Sequence, residues 1–159
     1  MLCPVLNTTQ YRTCAVVGAA PYLAYVELAT AIDTHDAVFR VNTHAMPPNL
    51  GNKTTFRVAN NALQLGTHRG SAEPKNIVPT TSHARVGNAI HCIPQAQYQS
   101  FASAVGIRQS TMLSSGALAV QLALSTCEHV TLYGFEGLQS YDHIIRDRHH
   151  DWVAEMRWL

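Results

Sequence analysis

Apolar residues along this chain gather in short unbroken runs rather than in strict alternation. Cys14-Ala15-Val16-Val17 stops at Gly18, Ala37-Val38-Phe39 continues to Val41 and stops at Asn42, and Lys53-Thr54-Thr55 leads into a third run through Val58. Continuous runs bounded by turn residues are the pattern of strands covered on both faces. Between the first two, Leu23, Val26, Leu28 and Ile32 predict a short helix over Pro21 to Ile32. Strand, crossover, parallel strand is the repeating unit of nucleotide-binding α/β folds. The expected fold class is therefore α/β, a Rossmann-like, mostly parallel sheet with helices on both faces.

The rest of the chain continues the alternation. β-Favouring types predict a strand over Thr54 to Val58, with Asp33 and Asp36 as turn chemistry before the second strand. Gly66, Gly70, Pro74 and Pro79 punctuate a polar stretch read as loops around a short strand at Asn76 to Pro79. Ala89 to Pro94 predicts a strand, Pro94 opens a helix to about Val105, and Gly106 ends it. Ser114-Ser115-Gly116 precedes Ala117 to Thr126, a run of strong helix formers. Serine is a good N-cap, and the free N–H groups of a helix start bind anions such as phosphate; helix packing accounts for the same run. Val130 to Phe135 reads as a buried strand, and Met1 to Thr13 as irregular.

Composition narrows the classes of function. At 159 residues and 47% hydrophobic content the chain makes one globular domain, able to bury roughly 68–70% of its unfolded surface. A net charge of +1 leaves no electrostatic footprint for nucleic acid or a membrane surface. Nine histidines against eleven Lys and Arg make the charge responsive to mild acid. The turn Gly18-Ala19-Ala20-Pro21 lacks the glycine fingerprint of dinucleotide sites, which argues against an unrelated dinucleotide-binding Rossmann domain. Asp33 and Asp36 stand three apart, so no D-x-D metal pair is implied. Cys3, Cys14, Cys92 and Cys127 have no C-x-x-C spacing; their even number suits bridges in an oxidising compartment and buried thiols elsewhere. Two sequons occur, Asn7-Thr8-Thr9 and Asn52-Lys53-Thr54. The second is expected to stay unmodified, since a glycan there would crowd a nucleotide site. No run is long enough to span a membrane, and no leader pattern opens the chain.

Three groups of residues carry a resemblance. The first is Cys14-Ala15-Val16-Val17 with Ile32-Asp33, His35-Asp36-Ala37-Val38, Arg40, Asn42, Gly51, Lys53-Thr54-Thr55 and Arg57. The second is Ser114-Ser115-Gly116 with Cys127, Val130 and Leu132-Tyr133-Gly134-Phe135. The third pairs His150 with Glu155 in H-x4-E spacing. Together they resemble the large, small and very small sialylmotifs of the eukaryotic sialyltransferases, glycosyltransferase family 29. The motifs fall at 13–60, 109–136 and 139–155 of a single catalytic domain, 1–159, expected to have a variant GT-A glycosyltransferase fold.

The resemblance implies an inverting transfer of sialic acid from CMP-sialic acid to a sugar hydroxyl of a glycan, without cofactor or metal. It implies His150 as general base, with His149 in reserve. Asn42 and Asn60 hold the cytidine nucleotide, and Ser114, Ser115, Gly116 and Tyr141 face the leaving phosphate. It further implies a Cys14–Cys127 disulfide and a lumenal Golgi location, with membrane attachment only through an N-terminal anchor absent from this sequence, as expected of a fragment, an incomplete gene model or a soluble variant. The chain departs from the family pattern in three places. Ala19-Ala20 replaces polar types after the first strand, Leu113 replaces a proline, and Gln139 or Ser140 stands where the family's third motif has histidine. The first and last favour the alternative of a CMP-binding protein with weak or no transfer.

Overall fold

The computed structural model describes residues 10–41, 47–59, 77–79, 93, 95–107, 111–135 and 150–159. The strands are β1 (Tyr11–Val17), β2 (Ala37–Val41), β3 (Phe56–Ala59), β4 (Ile77–Pro79) and β5 (Cys127–Tyr133). The helices are α1 (Ala29–Asp33), α2 (Gln95–Val105), α3 (Ser115–Thr126) and α4 (Trp152–Trp158). The five strands are all parallel, in the order β4-β3-β2-β1-β5. Chain direction thus steps outward from β1 to β4 and returns on the other side of β1. That reversal marks the place where open parallel sheets bind ligands, beyond the carboxyl ends of the strands.

The unbroken apolar runs are explained by two cores. Cys14, Val16, Ala37, Phe39, Val41, Phe56 and Val58 face α2 and α3, together with Leu118, Leu122 and Phe101. The alternate residues Ala15, Val17 and Val38 pack on the other face with Leu23, Ile32 and Leu50. Helix α3 is apolar nearly all round, and small residues at Ala117, Ala119 and Ala123 let it lie against β1, β2, β3 and β5. Cys14 and Cys127 are joined by a disulfide beneath it. Cys3 and Cys92 lie outside the described residues.

Two expectations are corrected. Pro21 to Ile32 is not one helix but a 3₁₀ segment, Pro21–Tyr25, an extended residue at Val26, and the single turn α1. The cause is Asn49: its amide donates to the carbonyls of Leu23 and Val26 at 2.7 and 2.6 Å, and its own carbonyl accepts the Leu28 N–H at 2.8 Å. Side-chain donors thereby replace the helical ladder. The last strand starts earlier than expected, at Cys127, and is not buried: Glu128, His129, Thr131 and Leu132 are exposed because β5 forms the edge of the described sheet. A smaller adjustment concerns β3, which begins at Phe56. Thr55 instead brackets Val38, its N–H donating to the Val38 carbonyl and its hydroxyl accepting the Val38 N–H.

Much of the large motif builds the opposite end of the sheet. Arg40 is fully buried in β2 and donates to the carbonyls of Lys53 (2.9 Å) and Leu50 (2.8 Å) and to the Thr54 hydroxyl (3.1 Å), with Asp33 at 3.8 Å. Asp33 in turn accepts the N–H groups of Asn52 and Lys53 at 2.8 and 3.0 Å. Gly51 has φ 76° and turns with no room for a β-carbon beside that carboxylate. Asp36 accepts from the N–H and hydroxyl of Thr13, which hold its carboxyl below the usual range. Both aspartates therefore serve loop and strand-end chemistry. Asn52, bound to Asp33, is exposed at the amino-terminal edge of the strands.

Candidate active site

The site lies where β1 and β5 end side by side. The Gly18 N–H donates to the Tyr133 carbonyl at 2.8 Å, extending the β1–β5 pairing past the last β1 residue. A β-carbon on Gly18 would stand 2.6 Å from the Gly134 carbonyl oxygen and 3.2 Å from the Phe135 ring. One on Gly116 would stand 3.3 Å from the same ring. Glycine at these two positions lets Phe135 sit between the β1 terminus and the start of α3. Tyr22 closes the rim, its hydroxyl accepting the Gly134 N–H at 3.1 Å.

Ser114 caps α3 as its sequence position predicts. Its hydroxyl accepts the Ala117 N–H at 3.1 Å and its carbonyl accepts the Leu118 N–H at 3.0 Å. The next donors are left over: the N–H groups of Ser115 and Gly116 have no protein partner among the described residues, and neither does the buried Ser115 hydroxyl. A buried hydroxyl without a partner is rare in folded proteins and calls for an explanation. Here three donors gather at the positive end of a helix dipole, an arrangement that suits an anionic oxygen.

The segment leading into α3 is pinned at three successive residues. The Met112 carbonyl accepts from His150 Nδ1 at 2.9 Å, and the two residues form an isolated parallel bridge. Leu113 donates its N–H to the Tyr98 hydroxyl of α2 at 3.0 Å. Ser114 donates to Glu155 twice, N–H to Oε1 at 2.7 Å and hydroxyl to Oε2 at 2.6 Å. A carbonyl only accepts, so Nδ1 of His150 carries the proton and Nε2 is the basic nitrogen of the neutral ring. The His150 ring meets Trp152 edge to face at 5.2 Å, and the buried Trp152 indole N–H has no partner among the described residues. Asp151 caps α4, accepting the Ala154 N–H at 3.2 Å.

Burial pushes the Glu155 carboxyl up, while the two bonds from Ser114 and the nearby His150 pull it down and Asp151 adds to the rise. Sequence spacing pointed to Glu155 only as the companion of His150; its partnership with Ser114, and the orphan hydroxyl of Ser115, needed the fold. His35, also within the large motif, braces structure instead. Its Nδ1 lies 2.9 Å from the Ala31 carbonyl and its Nε2 3.2 Å from the Thr131 hydroxyl, joining α1 to β5. Asn42, Asn60, Tyr141 and His149 lie outside the described residues, as does the strand expected at Ala89 to Pro94 apart from Ile93. Among the described residues no group of three or more His, Cys, Asp or Glu is placed to hold a metal ion.

The family model for glycosyltransferase family 29 (sialyltransferase) matches residues 3–83 and 90–153. The chain belongs to glycosyltransferase family 29. Sialyltransferase-like protein 5 of Oryza sativa subsp. japonica is 30% identical over 141 residues, covering 83% of this chain and 28% of the rice protein. Beta-galactoside alpha-2,6-sialyltransferase 2 of Homo sapiens is 42% identical over 61 residues, 36% of this chain and 12% of the human protein. The chain thus spans less than a third of these sialyltransferase-family relatives. A mammalian sialyltransferase crystal structure superposes with a TM-score of 0.69 at 23% identity, covering 93% of this chain and 64% of that one. A second, in complex with Gal-beta-1-3GalNAc-ortho-nitrophenol, gives 0.68 at 24% identity. These likenesses show the fold, a parallel sheet with helices as in the sialyltransferase family. Within the family motifs, the disulfide between Cys14 and Cys127 is formed. No described helix is long and apolar enough to cross a membrane.

Proposed function

We propose that the chain is the donor-binding and catalytic part of an inverting sialyltransferase using CMP-sialic acid and a glycan hydroxyl, placed in the Golgi lumen like the family it belongs to. The observation that carries this reading is the pinned segment Met112 to Ser114. It holds the ring of His150 at one end and opens, at the other, into the donors of Ser115 and Gly116, which have no partner among the described residues. A base and an anion seat on one short segment suit a reaction that takes up a proton on one side and releases a phosphate on the other.

The acceptor hydroxyl oxygen forms a bond to the anomeric carbon from the face opposite the phosphate. The bond from that carbon to the phosphate oxygen breaks, its electron pair leaving with CMP, and the hydroxyl proton passes to His150 Nε2. Donors at the start of α3, joined by Tyr141, meet the charge that grows on the phosphate. Asn42 and Asn60 hold the nucleotide. Ala19 and Ala20, lying after β1, offer no side-chain donors there, and this favours the second reading, a CMP-binding protein with weak transfer.

Titration calorimetry with CMP, and NAD as control, separates these readings when followed by a donor-transfer assay. CMP binding with transfer that falls about 10²–10⁴-fold in His150→Ala, nucleotide affinity being nearly kept, is the expected result. Binding without transfer selects the second reading; no CMP binding by folded protein overturns both. Loss of transfer in His149→Ala instead would move the base to that residue.

A further inference from the structure

The Glu155 side chain takes up the N–H and hydroxyl of Ser114, which leaves the Ser115 and Gly116 donors to face an anion, and it ties that end of the site to His150. It stands one turn into α4, whose N-cap, Asp151, follows directly on His150. Its two oxygens take the N–H and hydroxyl of Ser114, the residue that caps α3. It is buried, 2% exposed, so these bonds form away from competing water. Two residues back, Met112 holds His150 Nδ1 and pairs with its backbone. The strands of chain 112–114 and 150–155 are therefore fastened at both ends, His150 to Met112 and Glu155 to Ser114.

Resting on the transfer reading above, we propose that Glu155 is a positioning residue: by fastening α4 to Ser114 it sets where the His150 ring stands relative to the phosphate-receiving start of α3. It acts through hydrogen bonds and geometry, touching no substrate. Without it the two ends of the site respond differently. Ser114 still caps α3 through its bond from Ala117, so the anion seat stays built. His150 keeps its Met112 fastening but loses the tie of α4 to Ser114, and a base displaced by about 1 Å costs on the order of a hundredfold in rate. Glutamine in place of Glu155 can bridge the same two Ser114 atoms, one oxygen accepting the N–H and the amide donating to the hydroxyl oxygen.

The test uses the full chain with Glu155→Leu, which keeps volume and removes both bonds, and Glu155→Gln, which can keep them. Expected in Glu155→Leu is a fall in kcat of roughly 30–100-fold with donor KM and CMP affinity within about threefold of the parent. Glu155→Gln is expected to recover kcat to within about fivefold. Should Glu155→Leu not fold, Glu155→Asp, one methylene short of Ser114, takes its place. Parental kcat in the bond-breaking variant overturns the proposal, as does CMP affinity falling in step with kcat, or a Glu155→Gln no better than Glu155→Leu. The His150 ring supplies a readout independent of turnover: long-range proton–nitrogen spectra, assigned by difference with His150→Ala, should show one Nδ1-protonated tautomer in the parent and, because Met112 still holds Nδ1, the same tautomer with displaced ring shifts in Glu155→Leu and parental shifts in Glu155→Gln. An unchanged ring overturns the proposal even if the parent transfers nothing, whereas an inactive parent with the expected ring change would count only against the transfer reading.

Discussion

At the residue scale the telling feature is a carboxylate that is both buried and wired. Burial raises the proton affinity of Glu155 in the folded chain above that in the unfolded one, against the pull of Ser114 and His150 and with the push of Asp151. By linkage, the stability this group contributes is full below the ordinary glutamate range and is lost as pH rises through the raised folded value. Glu155→Gln does not titrate, so its melting temperature should gain on the parent as pH rises from mild acid to neutrality, and the two should converge in acid. Thermal melts across that range check the sign; a gap that widens in acid would reverse it. Asp36 has the opposite sense: the Thr13 bonds lower its carboxyl, so its contribution is held at neutral pH and lost on acidification. Single residues were only partly legible beforehand. Ser114 as a cap is written in local chemistry, because capping is decided within one turn. The Ser114–Glu155 bond spans 41 positions, and no local pattern encodes it.

At the scale of elements, β2 and the loop before β3 depend on one buried cation. Burial lowers the Arg40 pKa, Asp33 supports the charge, and three oxygens accept its protons. Arg40→Met fills the space but strands the Leu50 and Lys53 carbonyls, and a buried acceptor left unsatisfied costs about 1–3 kcal/mol. Urea unfolding should show a loss of that size, and a loss below 1 kcal/mol would mean the network is dispensable. Elements with uniform runs were legible for a physical reason: β1, β2 apart from Arg40, and most of α3 are apolar where they are covered, so burial leaves its mark residue by residue. The stretch after β1 was not, because Asn49, 23 residues beyond Val26, takes the carbonyls a helix would have used. For β5, apolar content suggested burial, but strand order decides which strand lies at the edge.

At the scale of the whole molecule, the disulfide and the sheet make the same connection twice. β1 pairs with β5 along its length, and Cys14 is bonded to Cys127 across 113 positions. Closing a loop of about 100 residues stabilises by about 4.7 kcal/mol in the chain-entropy account. Cys14→Ser and Cys127→Ser should therefore lose equal stability, and the double variant should lose little more; additive losses in denaturant titrations would separate the two cysteines. The order β4-β3-β2-β1-β5 also has a consequence in time. Cys14 and the β5 side of β1 leave the ribosome 113 residues ahead of their partner, an interval of roughly 6–23 s at about 5–20 residues per second. In that interval the other cysteines already synthesised are Cys3 and later Cys92. In an oxidising compartment the native bridge of Cys14 therefore has to wait for the β5 end of the chain, and any earlier pairing would have to be undone by thiol–disulfide exchange.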